Sequence, residues 1–94
     1  MNITRETAET IGLQCLAWLA GNEDLLPVFM GATGVSEAEL REQAQDPVFL
    51  GSVLDFLLMD DAWVIACCDA QGLDPQLPMQ ARAALPGGEQ VNWT

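Results

Sequence analysis

The sequence predicts an all-α fold, a compact bundle of five to six short helices joined at tight glycine-capped corners. Three observations predict it. Apolar residues recur at helical spacing along most of the chain, cap-type residues and glycines cut that pattern into short pieces, and neither a hairpin dipeptide nor a sustained apolar-polar alternation occurs. With 94 residues there is room for one hydrophobic core, so residues 1–94 are expected to form a single domain.

The first helix is expected from a Thr4 cap to about Ala20, with Ala8, Ile11, Cys15 and Leu19 on one face and Gly21-Asn22 ending it. Leu13, Leu16 and Trp18 widen that face, which predicts cover on more than one side. Asn22 or Asp24 caps a second helix through Leu25, Leu26, Val28, Phe29 and Met30. Pro27 fits there because it falls in the first turn, where an amide has no intrahelical partner. Gly34 stops this helix, and Ser36-Glu37-Ala38-Glu39 reads as a capping box that opens a third helix reaching Gln45. Asp46-Pro47 pairs an N-cap with proline at the first helical position and opens the most apolar segment, Val48 to Met59. There Phe49, Leu50, Val53, Leu54, Phe56, Leu57 and Leu58 leave only Gly51, Ser52 and Asp55 as a polar strip, so this fourth helix is expected at the centre. Asp60 caps a fifth helix carrying Trp63, Val64, Ile65, Ala66, Cys67 and Cys68, which Gly72 closes. Asp74-Pro75 starts a sixth, to about Leu85; Pro86-Gly87-Gly88 ends regular structure and leaves 87–94 as a frayed tail, from which Val91 and Trp93 could dock back.

Thr33-Gly34-Val35-Ser36 and Gln71-Gly72-Leu73-Asp74 share one design: a glycine stop, an apolar residue and a new cap. Each predicts a tight corner in which glycine takes the left-handed conformation and the apolar residue packs back on the helix just ended. The first corner is shaped like a helix-turn-helix, but its would-be recognition helix, Ser36 to Glu42, sets three glutamates against Arg41. Such a helix would be repelled by phosphates.

Composition excludes more than it includes. Half of the residues are hydrophobic, yet 14 acids stand against three arginines, with neither lysine nor histidine, for a formal charge of -11. Arg5, Arg41 and Arg82 are too far apart in sequence to form a basic patch, so no nucleic acid and no anionic membrane is expected as a partner. Charge-free runs such as Leu25 to Ser36 fall well short of the roughly 20 residues of a spanning helix. Arg5, Glu6 and Glu9 stand where a signal peptide would be apolar. Cys15, Cys67 and Cys68 are odd in number and lack CxxC spacing, so they read as buried thiols in a reducing, cytoplasmic setting, with Cys67 or Cys68 partly exposed. Without histidine a serine or cysteine nucleophile lacks its usual base, and Gly31-Ala32-Thr33-Gly34 lacks the lysine of a phosphate loop. No enzyme activity and no cofactor is expected.

Leu40-Arg41, Asp46-Pro47-Val48-Phe49-Leu50, Val53-Leu54-Asp55-Phe56-Leu57 with Asp60-Asp61, and Gly72-Leu73-Asp74-Pro75 form an ordered set across the chain. In that set the sequence resembles the family named domain of unknown function 3572, small bacterial proteins of about this length. The resemblance implies a compact helical protein of bacterial origin and carries no catalytic residue with it.

Two sets of residues remain as candidate sites. Asp55, Asp60, Asp61 and Asp69 are weak candidates for a Mg²⁺ or Ca²⁺ site at one end of a helical hairpin. Against that, Asp60 is placed to cap and Asp61 to oppose the helix dipole, while Asp55 suits either a solvated strip or a pair with Arg41 or Arg82. The other set is apolar: Phe49, Val53, Phe56 and Trp63, on the fourth and fifth helices, are expected to frame a hydrophobic groove. Its occupant would be a basic or amphipathic segment of a partner protein, making the chain an adaptor or regulator, or else a second copy in a homodimer.

Overall fold

The computed structural model describes residues 3–85 and contains six helices among them: α1 (Arg5–Ala20), α2 (Leu26–Thr33), α3 (Glu37–Glu42), α4 (Pro47–Leu57), α5 (Asp61–Gln71) and α6 (Leu77–Ala84). The expected tail, with Val91 and Trp93, lies outside the described residues.

Local chemistry sets most of the boundaries. The Thr4 side chain accepts from the Thr7 amide at 3.0 Å to start α1. At α3 the capping box is complete: the Glu39 amide donates to Ser36 Oγ at 3.2 Å and the Ser36 amide donates to Glu39 Oε1 at 2.8 Å. Asp46 and Asp60 accept from the Val48 and Ala62 amides at 2.9 and 2.8 Å, opening α4 and α5. Gly34 and Gly72 end α2 and α5 at φ of 79° and 69°, the left-handed region. Val35 and Leu73, the residues after them, fold back onto the core as the corner pattern predicts.

Departures from the expected boundaries have backbone causes. Asn22, rather than Asp24, is the cap before α2, its Oδ1 accepting from the Asp24 and Leu25 amides at 3.0 Å. What it caps is a turn, because Pro27 has no amide to offer the Glu23 carbonyl, and the helix proper begins at Leu26. The same happens at α6. Asp74 accepts from the Gln76 amide at 2.9 Å, but Pro78 cannot donate to the Asp74 carbonyl, so α6 starts at Leu77. The third helix stops at Glu42, short of Gln45, since Asp46 must be extended ahead of Pro47, at ψ 117°. Likewise α4 ends at Leu57, leaving room for Asp60 to adopt its extended cap conformation at ψ 116°.

The fourth helix shares the centre of the bundle with α1. Each packs against the other and against α5 and α6, and α1 does so more extensively. The inner face of α1 is made of small side chains, Ala8, Gly12 and Cys15, all buried, followed by Leu19. At Gly12 the helices come closest: a Cβ there would lie 3.1 Å from Leu50 Cβ. The fourth helix remains the most apolar, with Phe49, Leu50, Gly51, Val53, Leu54, Phe56 and Leu57 buried, and only Ser52 and Asp55 of its expected polar strip face solvent. Phe29 of α2 meets Phe56 and Phe49 edge-on, with ring centroids 5.2 and 6.1 Å apart.

Leu50 Cβ belongs to the stem of its side chain and cannot swing away, so Gly12→Val is expected to cost about 1–3 kcal/mol by overpacking the α1–α4 contact. Gly31→Ala, on an open surface of α2, is expected to add about 0.5–1 kcal/mol through helix propensity. Urea unfolding of the two variants reads both signs.

Candidate interaction groove

The residues expected to form the interaction surface lie in the core. Phe49 and Phe56 are 6% exposed and Val53 0%. Trp63 is half-buried and stacks on Phe56, centroids 4.9 Å apart. A groove on the fourth and fifth helices through these four residues is therefore overturned: α2 lays Phe29 over the phenyl rings of α4, and α1 covers the rest of that face.

Nor do the four aspartates meet. Asp55 receives two hydrogen bonds from Arg82, Nε to Oδ1 at 2.6 Å and Nη2 to Oδ2 at 3.0 Å, which ties α4 to α6. Asp60 is the cap of α5 and Asp61 stands in its first turn. Asp69 stands two turns further along the same helix, about 12 Å from Asp61 at helical rise. Among the described residues no three His, Cys, Asp or Glu side chains gather as a metal would require.

Open apolar surface occurs instead on the outward side of α1. Leu13, Ala17 and Ala20 follow one another at i, i+4 and i+7, share one helix face, and are all exposed, Leu13 by 45%. Facing them are Leu40 and Arg41 of α3 and Ala44 of the turn after it, with a depression of about 180 Å³ between the two walls. Through Leu13 and Ala44 this opens into a wider depression of about 320 Å³, bounded by Glu6, Glu9 and Thr10 on α1 and by Gln45. At the other end Ala20, Leu40 and Arg41 are shared with a third depression that adds Leu26 and Glu37. Together they make one groove beside α1 from Glu6 to Ala20, about 21 Å at helical rise. Its middle is apolar, with buried Leu16 and Leu40 beneath and the small side chains of Ala17, Ala20 and Ala44 along the edges, too short to fill it.

A model of the family described as Protein of unknown function (DUF3572) matches residues 5–88. The chain belongs to that family. No curated protein and no solved structure matches it. In this DUF3572 protein the match takes in both walls of the groove, since α1 and α3 lie within it. The family name assigns no activity, so the groove is interpreted from its own chemistry.

The thiols of this DUF3572 protein are free and all buried, including Cys67 and Cys68, one of which was expected to be partly exposed. They face inward because α5 turns that side toward α1. Cys15 shares a hydrogen bond with Cys67; that bond first, then burial, pushes the Cys15 thiol far above its ordinary range. The same bond draws Cys67 down, against burial. Burial, and then the neighbouring Cys67 and Asp74, raise Cys68, whose Sγ donates to the Asp74 carbonyl at 3.7 Å. Sulfurs so enclosed are poor nucleophiles.

Asp60→Ala is expected to cost about 1 kcal/mol as a lost cap, by the same amount with and without millimolar Mg²⁺ or Ca²⁺ in thermal unfolding. Native protein mixed with an aromatic disulfide reagent is expected to show no fast-reacting thiol and to titrate all three cysteines only in denaturant.

Proposed function

We propose that this protein is a non-enzymatic interaction domain whose groove between α1 and α3 receives an amphipathic helix, basic on its polar side, from a partner protein. The observation that carries the proposal is the exposed stripe Leu13, Ala17 and Ala20, which no part of the described chain covers and which lies in a groove wide enough for large side chains. Small residues along a helix allow close approach of a second helix, and apolar side chains inserted at i, i+3 and i+4 would displace water from the gap. Glu6 and Glu9 at one end, within a body of charge -11, favour a cationic partner and speed its approach. A second copy of the same chain would bring two such bodies together, which the charge opposes. Three unpaired thiols suit a reducing compartment, and we place the protein in the cytoplasm.

Leu13→Asp tests this. Leu13 is half in solvent, so the variant is expected to stay folded at a cost of about 1 kcal/mol, from poorer helix propensity and repulsion by Glu9 one turn back, and to lose the partner captured by the wild-type bait at low salt. The same partner is expected to be released from the wild type at high salt, because charge contributes to capture. Retention of all captured proteins by Leu13→Asp would sink the groove, and a bait of twice monomer mass in light scattering, restored to monomer by Leu13→Asp, would assign the stripe to self-association instead.

A further inference from the structure

Arg5 pairs with Glu9 one turn further on, at 3.4 Å, and Arg82 holds Asp55. Arg41, by contrast, has no ion-pair partner among the described residues, although it is exposed on a protein with 14 acids. It also stands at a particular place. Its side chain lines two of the three depressions of the groove, beside Ala20 and Leu40, at the end opposite Glu6 and Glu9. The carbonyl end of α3 favours a cation in that last turn, which accounts for an arginine there but leaves its five donors open to a ligand.

We infer that the partner segment is bipolar: besides the basic residue that meets Glu6 and Glu9 and the apolar residues that meet Leu13 and Ala17, it carries a carboxylate that seats on Arg41. This rests on the groove being the docking site. Charge complementarity sets the pattern, with Glu6 and the Arg5–Glu9 pair at one end of the groove, an apolar middle, and Arg41 at the other end with Glu37 one turn before it. From Glu9 to Ala20 is about 17 Å at helical rise, so in a helical partner the two charges stand about three turns apart, with the apolar side chains between them. A guanidinium takes a carboxylate through two parallel N–H···O bonds, a geometry that a neutral amide cannot reproduce. The carboxylate thus selects among basic amphipathic helices, most of which the acidic body would attract without distinction.

Four fluorescein-labelled synthetic peptides serve as probes. Each is a helix of 15 residues with a leucine stripe, a lysine pair at one end and, three turns away, a single glutamate or a glutamine; each version is made in both chain directions. Anisotropy titrations measure their affinity for the intact wild-type protein, Arg41→Gln and Leu13→Asp. In one direction the glutamate peptide is expected to bind the wild type about three- to fivefold tighter than its glutamine twin. That order opposes the overall charge, since the protein as a whole repels the added anion. With Arg41→Gln the preference for glutamate over glutamine is expected to vanish or reverse. If glutamine peptides bind as tightly as glutamate peptides in both directions, and Leu13→Asp weakens all four, the groove stands and the role of Arg41 is overturned. If no peptide binds the wild type, or Leu13→Asp binds them equally well, the groove falls and this inference falls with it.

Discussion

The most extensive helix contacts in this fold are those of α1 with α4 and α6, and α1 can make them because its inner face is built from Ala8, Gly12 and Cys15. With no side chain at Gly12, α4 approaches until Leu50 Cβ stands 3.1 Å from where a Cβ would be. Close packing of this kind brings the phenyl rings of α4 and α2 into one edge-on group and lets α5 and α6 rest against the same helix. A helix gripped on one side by three others still has another side. On α1 that other side is apolar over Leu13, Ala17 and Ala20, so the hub of the core is also the floor of the groove.

The opposite wall has a different character. A helix of six residues is too short to persist alone, and α3 depends on its capping box and on Leu40, its one buried side chain. The wall that holds Arg41 is therefore anchored at few points, while the wall that holds Leu13 belongs to the most extensively packed helix in the molecule. A partner docked as proposed would meet one firmly packed wall and one held at few points, so its side chains would be accommodated at little expense to the core.

Much of the fold was legible in the residues. Thr4, Ser36, Asp46 and Asp60 start helices where their side chains predict, and Gly34 and Gly72 stop them, because capping is decided within four or five residues of chain. Boundaries slipped where a proline further on withdrew an amide, at Pro27 and Pro78, a constraint that acts four residues back and is easily read as part of the helix. The site was far less legible. Apolar residues such as Phe49, Val53 and Phe56 are equally suited to a core and to a docking face, and only tertiary packing assigned them to the core. Leu13 signalled a second apolar side of the first helix, but the groove beside it exists because Ala17, Ala20 and Ala44 are small, and a small residue in a helix carries no local mark of what it leaves empty.

The frequent helix starts bear on the protein's acidity. Asp46, Asp60 and Asp74 accept hydrogen bonds from the backbone amides just after them, and Glu6, Glu37, Glu39 and Asp61 stand in first turns, which together makes half of the 14 acids. A chain of this length folded as two or three long helices would present fewer amino-terminal ends and need fewer carboxylates to quiet them. Half of the negative charge is thus a by-product of segmentation, set by how often the backbone restarts. Glu6 belongs both to that half and to the groove, standing in the first turn of α1 and at the groove's rim.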